Sequence, residues 1–164
     1  MPSPIRALGI AAIVGGLLRV ADSFTTQALP AGLLAALYFT TDIFLILGIA
    51  GIYLSRRSTT GMAGTIGAAI FTLGIVLVRV SAFGVLGSSG YQLGAAVALL
   101  GLAILSGETL LRRHGGTMSA LLWLLSFALG ILGAAGIAPA TLMPGAGVAF
   151  GAGFVGAGLE ILAA

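Results

Sequence analysis

Four charged side chains lie inside long apolar stretches of this sequence, and they are its clearest candidates for chemistry. They are Arg19, Asp22, Asp42 and Arg79, in a chain with only seven basic and four acidic residues. A charge in apolar surroundings is costly unless it is paired or hydrogen-bonded, so each of these groups needs a partner or a polar cavity. Such charges either serve a ligand or an ion, or cancel one another and fix the packing of helices.

The composition indicates that lipid surrounds these charges. Of the 164 residues, 59% are hydrophobic and 7% are charged, whereas a soluble domain carries about 25% charged residues. On a soluble protein the net charge of +3 would suggest a nucleic-acid partner. Here the arginines flank apolar segments, as they do in proteins that a bilayer orients. We therefore expect an integral membrane protein whose partner is the lipid bilayer and not a nucleic acid.

Six segments reach the length of about 20 apolar residues that a helix needs to cross a membrane. They are residues 5–25, 31–54, 62–86, 91–111, 118–138 and 142–162. Short connections rich in Gly, Pro and Ser separate them, which predicts that neighbouring helices are antiparallel. The expected fold is all-α, a single polytopic transmembrane domain of six helices over residues 1–164.

The distribution of arginine predicts the orientation of the helices. Arg6, Arg56, Arg57, Arg112 and Arg113 fall on one side of the membrane if both termini share that side, and the opposite connections hold no Lys or Arg. Cytoplasmic loops carry the excess of positive charge. We expect a multi-pass protein of the inner (plasma) membrane with both termini in the cytoplasm.

Spacing predicts partners for the four charges inside the spans. Arg19 and Asp22 stand three residues apart, which places both on one face of a helix. Ala82 occupies the corresponding position after Arg79, so Arg79 has no acid of its own. Asp42 lies about 16 Å into its span at 1.5 Å per residue. We expect the long Arg79 side chain, and Arg19 as a second candidate, to reach inward toward Asp42.

These charges define a candidate substrate-binding site in the outer half of the bundle. Its predicted residues are Asp42, Arg79, Arg19, Asp22, Thr41 and Tyr38, with further hydroxyls from Thr40, Ser23 and Ser81. Two alternatives stay open: the charges cancel pairwise and only fix packing, or the arginines extend to the outer headgroups.

Charges near the ends of the later spans are interpreted as structural. Glu108 precedes Arg112 by four residues, the favourable order for an ion pair on a helix. We expect this pair, and Glu160, to lie at the cytoplasmic interface, and His114 to be a solvated turn residue. A lone histidine cannot build a metal site, which needs three or four ligands.

No complete catalytic set, metal site or cofactor motif is apparent, and the chain has no cysteine. The segment "GAGFVG" (151–156) matches G-x-G-x-x-G, but it lies inside the sixth span with no strand before it. Its glycines, like Gly61, Gly64 and Gly67, predict close helix packing. Such glycine-rich faces are also candidate surfaces for self-association or for other membrane subunits. Tyr53 and Trp123 are candidates for the cytoplasmic interface.

Internal similarity suggests a repeat. A shift of 56 residues aligns "GIYLSRRSTTGM" (51–62) with "GETLLRRHGGTM" (107–118), and a shift of 60 aligns "LLRV" (17–20) with "LVRV" (77–80). Three parallel two-helix repeats would explain both matches. The alternative is chance similarity, because membrane helices use a limited set of residue types.

The stretch "ILGIAGIYLSRRSTTGMAGTIGAAIFTLGIVLV" (46–78) resembles a pattern found in small multi-span bacterial inner-membrane proteins of unknown function. The resemblance implies a bacterial, multi-span protein and transfers no activity. Three functions are therefore compatible with the sequence: small-solute transport or binding, an accessory or assembly subunit of a larger membrane complex, and an intramembrane enzyme. The enzyme fits least, because no nucleophile stands with a base.

Overall fold

The computed structural model describes residues 4–25, 29–85, 87–112 and 115–164. Within these ranges the chain is helical, and its long helices follow the predicted spans closely. They are α1 (Pro4–Thr25), α2 (Ala31–Ser55), α3 (Met62–Ala82), α4 (Gly87–Arg112), α5 (Thr117–Ala134) and α6 (Met143–Ala163), with one 3₁₀ turn at Ala140–Leu142 before α6. All six helices are long and apolar enough to cross a membrane. The protein is an all-α, multi-pass membrane protein, as predicted.

Three helix boundaries differ from the prediction by four residues each. The third helix ends at Ala82 instead of 86, because Gly84 takes a left-handed backbone with φ of 82°. The fifth ends at Ala134 instead of 138, since Gly136 (φ of 69°) turns the chain so that Ile137 donates its N–H to the Leu132 carbonyl. Glycine adopts such conformations without steric cost and ends helices in this way. The segment 87–90, predicted as a connection, is already part of α4.

The six helices form a ring in the order in which they occur in the sequence. Each packs against its neighbours along the chain, and α1 packs against α6 to close the ring. Of these neighbouring pairs, α3–α4 is the most extensive and α2–α3 the least. The ring is therefore tightly joined on most sides and lightly joined between α2 and α3.

Glycine pairs hold two of these contacts at close range. Gly9 and Gly16 of α1 face Gly158 and Gly151 of α6, with a seven-residue spacing in each helix. Two helical turns cover about seven residues, so both pairs lie along one line. The α3–α4 contact uses the same spacing, pairing Gly67 with Gly101 and Gly74 with Gly94. Because lipid is as apolar as the helices, no hydrophobic effect drives their association, and close van der Waals contact stabilises the pairs instead.

The glycines singled out in the sequence pack inside the chain. Gly151 and Gly158 contact α1, Gly153 and Gly156 lie against α5, and Gly67 lies against α4. The prediction that "GAGFVG" packs helices is therefore confirmed. These glycine faces are occupied by other helices of the same chain.

In the half of the ring toward the termini, the centre is filled by an aromatic cluster of Phe71, Phe150, Phe154 and Trp123. The Phe154 ring lies 5.5 Å from Phe71, 5.3 Å from Phe150 and 5.2 Å from Trp123, measured between ring centroids. Trp123 is fully buried, so its predicted place at the cytoplasmic interface is wrong. The indole ring packs edge-on against Phe154, a geometry that aromatic pairs favour.

Ion pairs join the helices at the end of the bundle that carries both termini. Arg56, which follows α2, donates to Glu160 of α6 at 2.5 Å. Glu108 of α4 pairs with Arg112 at 2.8 Å and also accepts a hydrogen bond from the N–H of Gly61, where α3 begins. Glu108 is only 9% exposed. The predicted Glu108–Arg112 pair is confirmed, and Glu108 is in addition a buried cap of α3.

Candidate functional site

All six helices line one central cavity of about 290 Å³ in the half of the bundle away from the termini. Its polar wall consists of Arg19, Asp22, Tyr38, Thr41, Asp42, Arg79, Tyr91 and Ser126. Leu45, Ile75, Leu99 and Phe150 supply apolar surface. The aromatic cluster closes the end of the cavity that points toward the termini, since Phe71 and Phe154 stand four residues beyond the lining residues Ile75 and Phe150. The cavity is thus a pocket with one closed end.

Asp42 and Arg79 form an ion pair across the cavity wall. The Nε of Arg79 donates to Oδ2 of Asp42 at 2.9 Å, and Nη2 donates to the same oxygen. The two side chains are 16% and 17% exposed, and the guanidinium lies 5.6 Å from the centroid of the Phe39 ring. The predicted contact between Asp42 and Arg79 is confirmed. Arg79 turns inward and does not extend to the headgroups.

Asp22 is the most deeply buried charge in the cavity, with 2% of its surface exposed. Neither of its carboxylate oxygens has a hydrogen-bond donor among the residues that the structure describes. The Thr41 hydroxyl lies beside this carboxylate, but it donates its proton to the carbonyl of Leu37 at 2.9 Å. A buried carboxylate with no donor is costly, because it loses water without replacing it.

Arg19 lines the same cavity on the face that it shares with Asp22, but it forms no ion pair with Asp22. Its guanidinium lies 5.8 Å from the centroid of the Phe150 ring, which attracts the cation. Within the described ranges, the ion pairs do not include Arg19. It is near enough to act electrostatically on both Asp22 and Asp42. The two residues share a face, as their spacing predicts, while packing on Phe150 holds the guanidinium away from Asp22.

The structure brings all six predicted site residues to this cavity and leaves the additional hydroxyls outside its lining. Ser23 and Ser81 donate to the carbonyls of Arg19 and Leu77 in their own helices, and Thr40 is exposed on the outside of α2. A serine in a helix commonly bonds the carbonyl one turn back when no other acceptor competes. The placement of these three hydroxyls in the site was therefore wrong.

Two polar lining residues were missed from the sequence, Tyr91 and Ser126. The predicted fourth span, 91–111, begins at Tyr91, whereas in the structure Tyr91 lies in the second turn of α4. Ser126 donates to the Ala146 carbonyl at 2.9 Å and so links α5 to α6. The spacing of Tyr91, Ala95 and Ala98 places them on one face of the helix, and all three line the cavity. For Ser126 the sequence offered no signal.

Two predictions fall outside the residues that the structure describes. Arg113, in the arginine pair used for orientation, and His114, predicted as a solvated turn residue, both lie there. The repeat of two-helix units stays a prediction as well.

The cavity combines four charges whose sum is zero with two phenol hydroxyls and an apolar wall. Such a pocket suits reversible binding of a small polar molecule, since pockets that bind ligands are mostly apolar with a few placed polar groups. No protein-family model, curated protein or solved structure matches this chain. The site must therefore be interpreted from its own chemistry.

Proposed function

We propose that this protein binds a small solute in the central cavity and transports it across the membrane. The observation that supports this function is that all six helices, the two arginines and the two aspartates inside the spans converge on one cavity of about 290 Å³. Charges that served only to fix helix packing would not need to surround open space. Intramembrane charges mark substrate pathways when they face a cavity.

In this proposal the cavity opens on the outer side of a bacterial inner membrane. The arginines at the ends of the helices support that orientation. Arg6, Arg56, Arg57 and Arg112 share the end of the bundle opposite the cavity. The aromatic cluster is then the inner barrier. Transport requires Phe71 and Phe154 to separate, so that the solute can leave toward the cytoplasm.

A pair of single-cysteine variants tests whether the cavity holds water. Ala95 lines the cavity, whereas the next residue, Ala96, is exposed on the outside of α4. The chain has no native cysteine, so Ala95→Cys and Ala96→Cys each carry one thiol at nearly the same depth. Maleimides react with the thiolate, which forms in water and not in hydrocarbon.

In intact cells we expect a membrane-impermeant maleimide to label Ala95→Cys at least tenfold faster than Ala96→Cys. If the reagent also labels Ala95→Cys slowly when it is added to inverted membranes, the cavity opens to both sides, as transport requires. Equal rates for the two thiols, or no labelling of Ala95→Cys, would refute the solute cavity. Reaction from the outer side alone would reduce the function to binding.

A further inference from the structure

Two of the four charges in the cavity form an ion pair with each other, and the other two have no ion-pair partner among the described residues. Asp42 and Arg79 neutralise each other through two hydrogen bonds to one carboxylate oxygen. Asp22 and Arg19 remain, one anion and one cation on successive turns of α1. They line the same cavity but form no ion pair with each other.

Asp22 requires a donor that approaches through the cavity. Both of its oxygens are buried, neither is hydrogen-bonded by a described residue, and the nearby Thr41 hydroxyl donates elsewhere. An ammonium group suits this position, because it carries several donors and the charge that an isolated carboxylate lacks. Tyr38 lies close to Asp22 and to Tyr91, so phenol rings border the same space.

Arg19 supplies the complementary half of the site. A guanidinium presents five N–H donors in a rigid plane and binds carboxylates or phosphates through two parallel hydrogen bonds. The Arg19 guanidinium lies 5.8 Å from the centroid of the Phe150 ring, and among the described residues no carboxylate forms an ion pair with it. The helix spacing of three residues places this anion site a few ångströms from the ammonium site at Asp22.

On the basis of the proposed function, we infer that the ligand is a small zwitterion whose ammonium group binds Asp22 and whose anionic group binds Arg19. The charge of the cavity supports a ligand that is neutral overall, because two arginines and two aspartates already cancel. A ligand with a net charge would leave that charge buried without compensation. Leu45, Ile75 and Leu99 provide an apolar surface for the remainder of the molecule.

Two sources can supply an ammonium group a few bonds from an anion. One is a free α-amino acid, in which a carboxylate would meet Arg19. The other is the headgroup of phosphatidylethanolamine, in which a phosphate would meet Arg19. Both satisfy the same two residues, so the experiment includes a separate arm for each source.

The test measures thermal unfolding of the full chain in detergent while a ligand is titrated. A molecule that binds only the folded protein raises the unfolding temperature in proportion to the logarithm of its concentration. The probes are glycine, leucine and phenylalanine in one arm, and short-chain phosphatidylethanolamine in the other. We expect at least one arm to raise the unfolding temperature, and that arm identifies the source.

Derivatives and variants then test the two ends of the ligand separately. N-acetyl-leucine lacks the ammonium and leucinamide lacks the carboxylate, so we expect each to bind at least tenfold more weakly than leucine; in the lipid arm, N-acetylated phosphatidylethanolamine takes the same role. Asp22→Asn should remove the preference for the ammonium, and Arg19→Gln the preference for the anion. Arg57→Gln, at an exposed position at the other end of the bundle, should bind as the native protein does.

If either variant fails to fold, the derivatives still test the inference on the native chain. No shift in either arm, or equal binding by derivatives that lack one charge, would overturn the zwitterion. Rapid labelling of Ala95→Cys alongside such a result would leave the solute cavity standing and reject only this ligand class. An unreactive Ala95→Cys would reject the cavity itself.

Discussion

Asp42 and Arg79 connect α2 to α3, the two neighbouring helices of the ring that otherwise pack least extensively. The ion pair therefore closes the ring where glycine packing does not. Elsewhere the helices approach each other through pairs such as Gly67 and Gly101. The same two charged residues thus line the cavity and hold its wall together.

Removing one charge of this pair should destabilise the fold. Asp42→Asn leaves the guanidinium of Arg79 in the cavity wall with no counter-charge, and we expect a loss of about 2 kcal/mol in the free energy of unfolding. Arg79→Gln should have a similar effect. The double variant Asp42→Asn/Arg79→Gln should lose less than the sum, because no uncompensated charge remains.

Unfolding of the purified protein in mixed detergent measures these losses. Arg57→Gln is the control and should change stability by less than about 0.5 kcal/mol, as surface substitutions usually do. If the losses of the two single variants simply add in the double variant, the pair does not connect the helices.

The glycine contacts between α3 and α4 are tested by two substitutions in one helix. A methyl group added at Gly101 would collide with the backbone N–H of Phe71 and lie 2.6 Å from the Gly67 carbonyl oxygen, whereas nothing lies within 4 Å of one added at Gly107. Gly101→Ala should therefore destabilise the protein by about 1–3 kcal/mol. Gly107→Ala should be neutral or slightly stabilising, because alanine favours a helix. Equal stability of the two variants would contradict the close helix contact.

The two acidic residues at the terminal end of the bundle should differ in importance. Glu108 caps α3 from a buried position, so Glu108→Ala leaves the Gly61 N–H without its acceptor and should cost about 2 kcal/mol. Glu160 is 39% exposed in its pair with Arg56, so Glu160→Ala should cost less than about 1 kcal/mol. Both values come from the same unfolding assay, and the reverse ranking would show that Glu108 is not a cap.

The orientation is tested by cysteines in two connections at opposite ends. Ser58 lies in the connection between α2 and α3, and Ala135 follows α5; both are exposed. If the arginine-rich end is cytoplasmic, an impermeant maleimide should label Ala135→Cys in intact cells and Ser58→Cys only after lysis. The opposite pattern would show that the protein has the inverse orientation, and the cavity would then open toward the cytoplasm.

The spans and the central ion pair were predictable because each depends on one strong local constraint. A run of about 20 apolar residues has few alternatives to a membrane helix. Asp42 was the only acid at comparable depth without a neighbour at helical spacing, so elimination assigned it to Arg79. The early stops of α3 and α5 depend on left-handed turns at Gly84 and Gly136, and a glycine in a membrane helix does not by itself indicate such a turn.

The errors concern side chains whose position is decided by other helices. Arg19 shares a helix face with Asp22, but its guanidinium packs on the ring of Phe150 from α6. Trp123 was expected at the interface, yet its indole ring fills the bundle centre against Phe154. Glu108 accepts a hydrogen bond from Gly61, 47 residues earlier in the chain, and so caps α3. Each of these contacts depends on the depth and rotation of another helix, which local spacing along a single sequence does not specify.

Trp123 is the sole tryptophan of the chain, and it is fully buried in the cluster that closes the cavity. In the proposed transport function the protein therefore carries a natural fluorophore at its inner barrier. While the barrier is closed, the indole is shielded from water and should emit at short wavelength. Separation of the aromatic rings would wet the indole and shift its emission to the red, so opening can be followed in real time without attaching a dye.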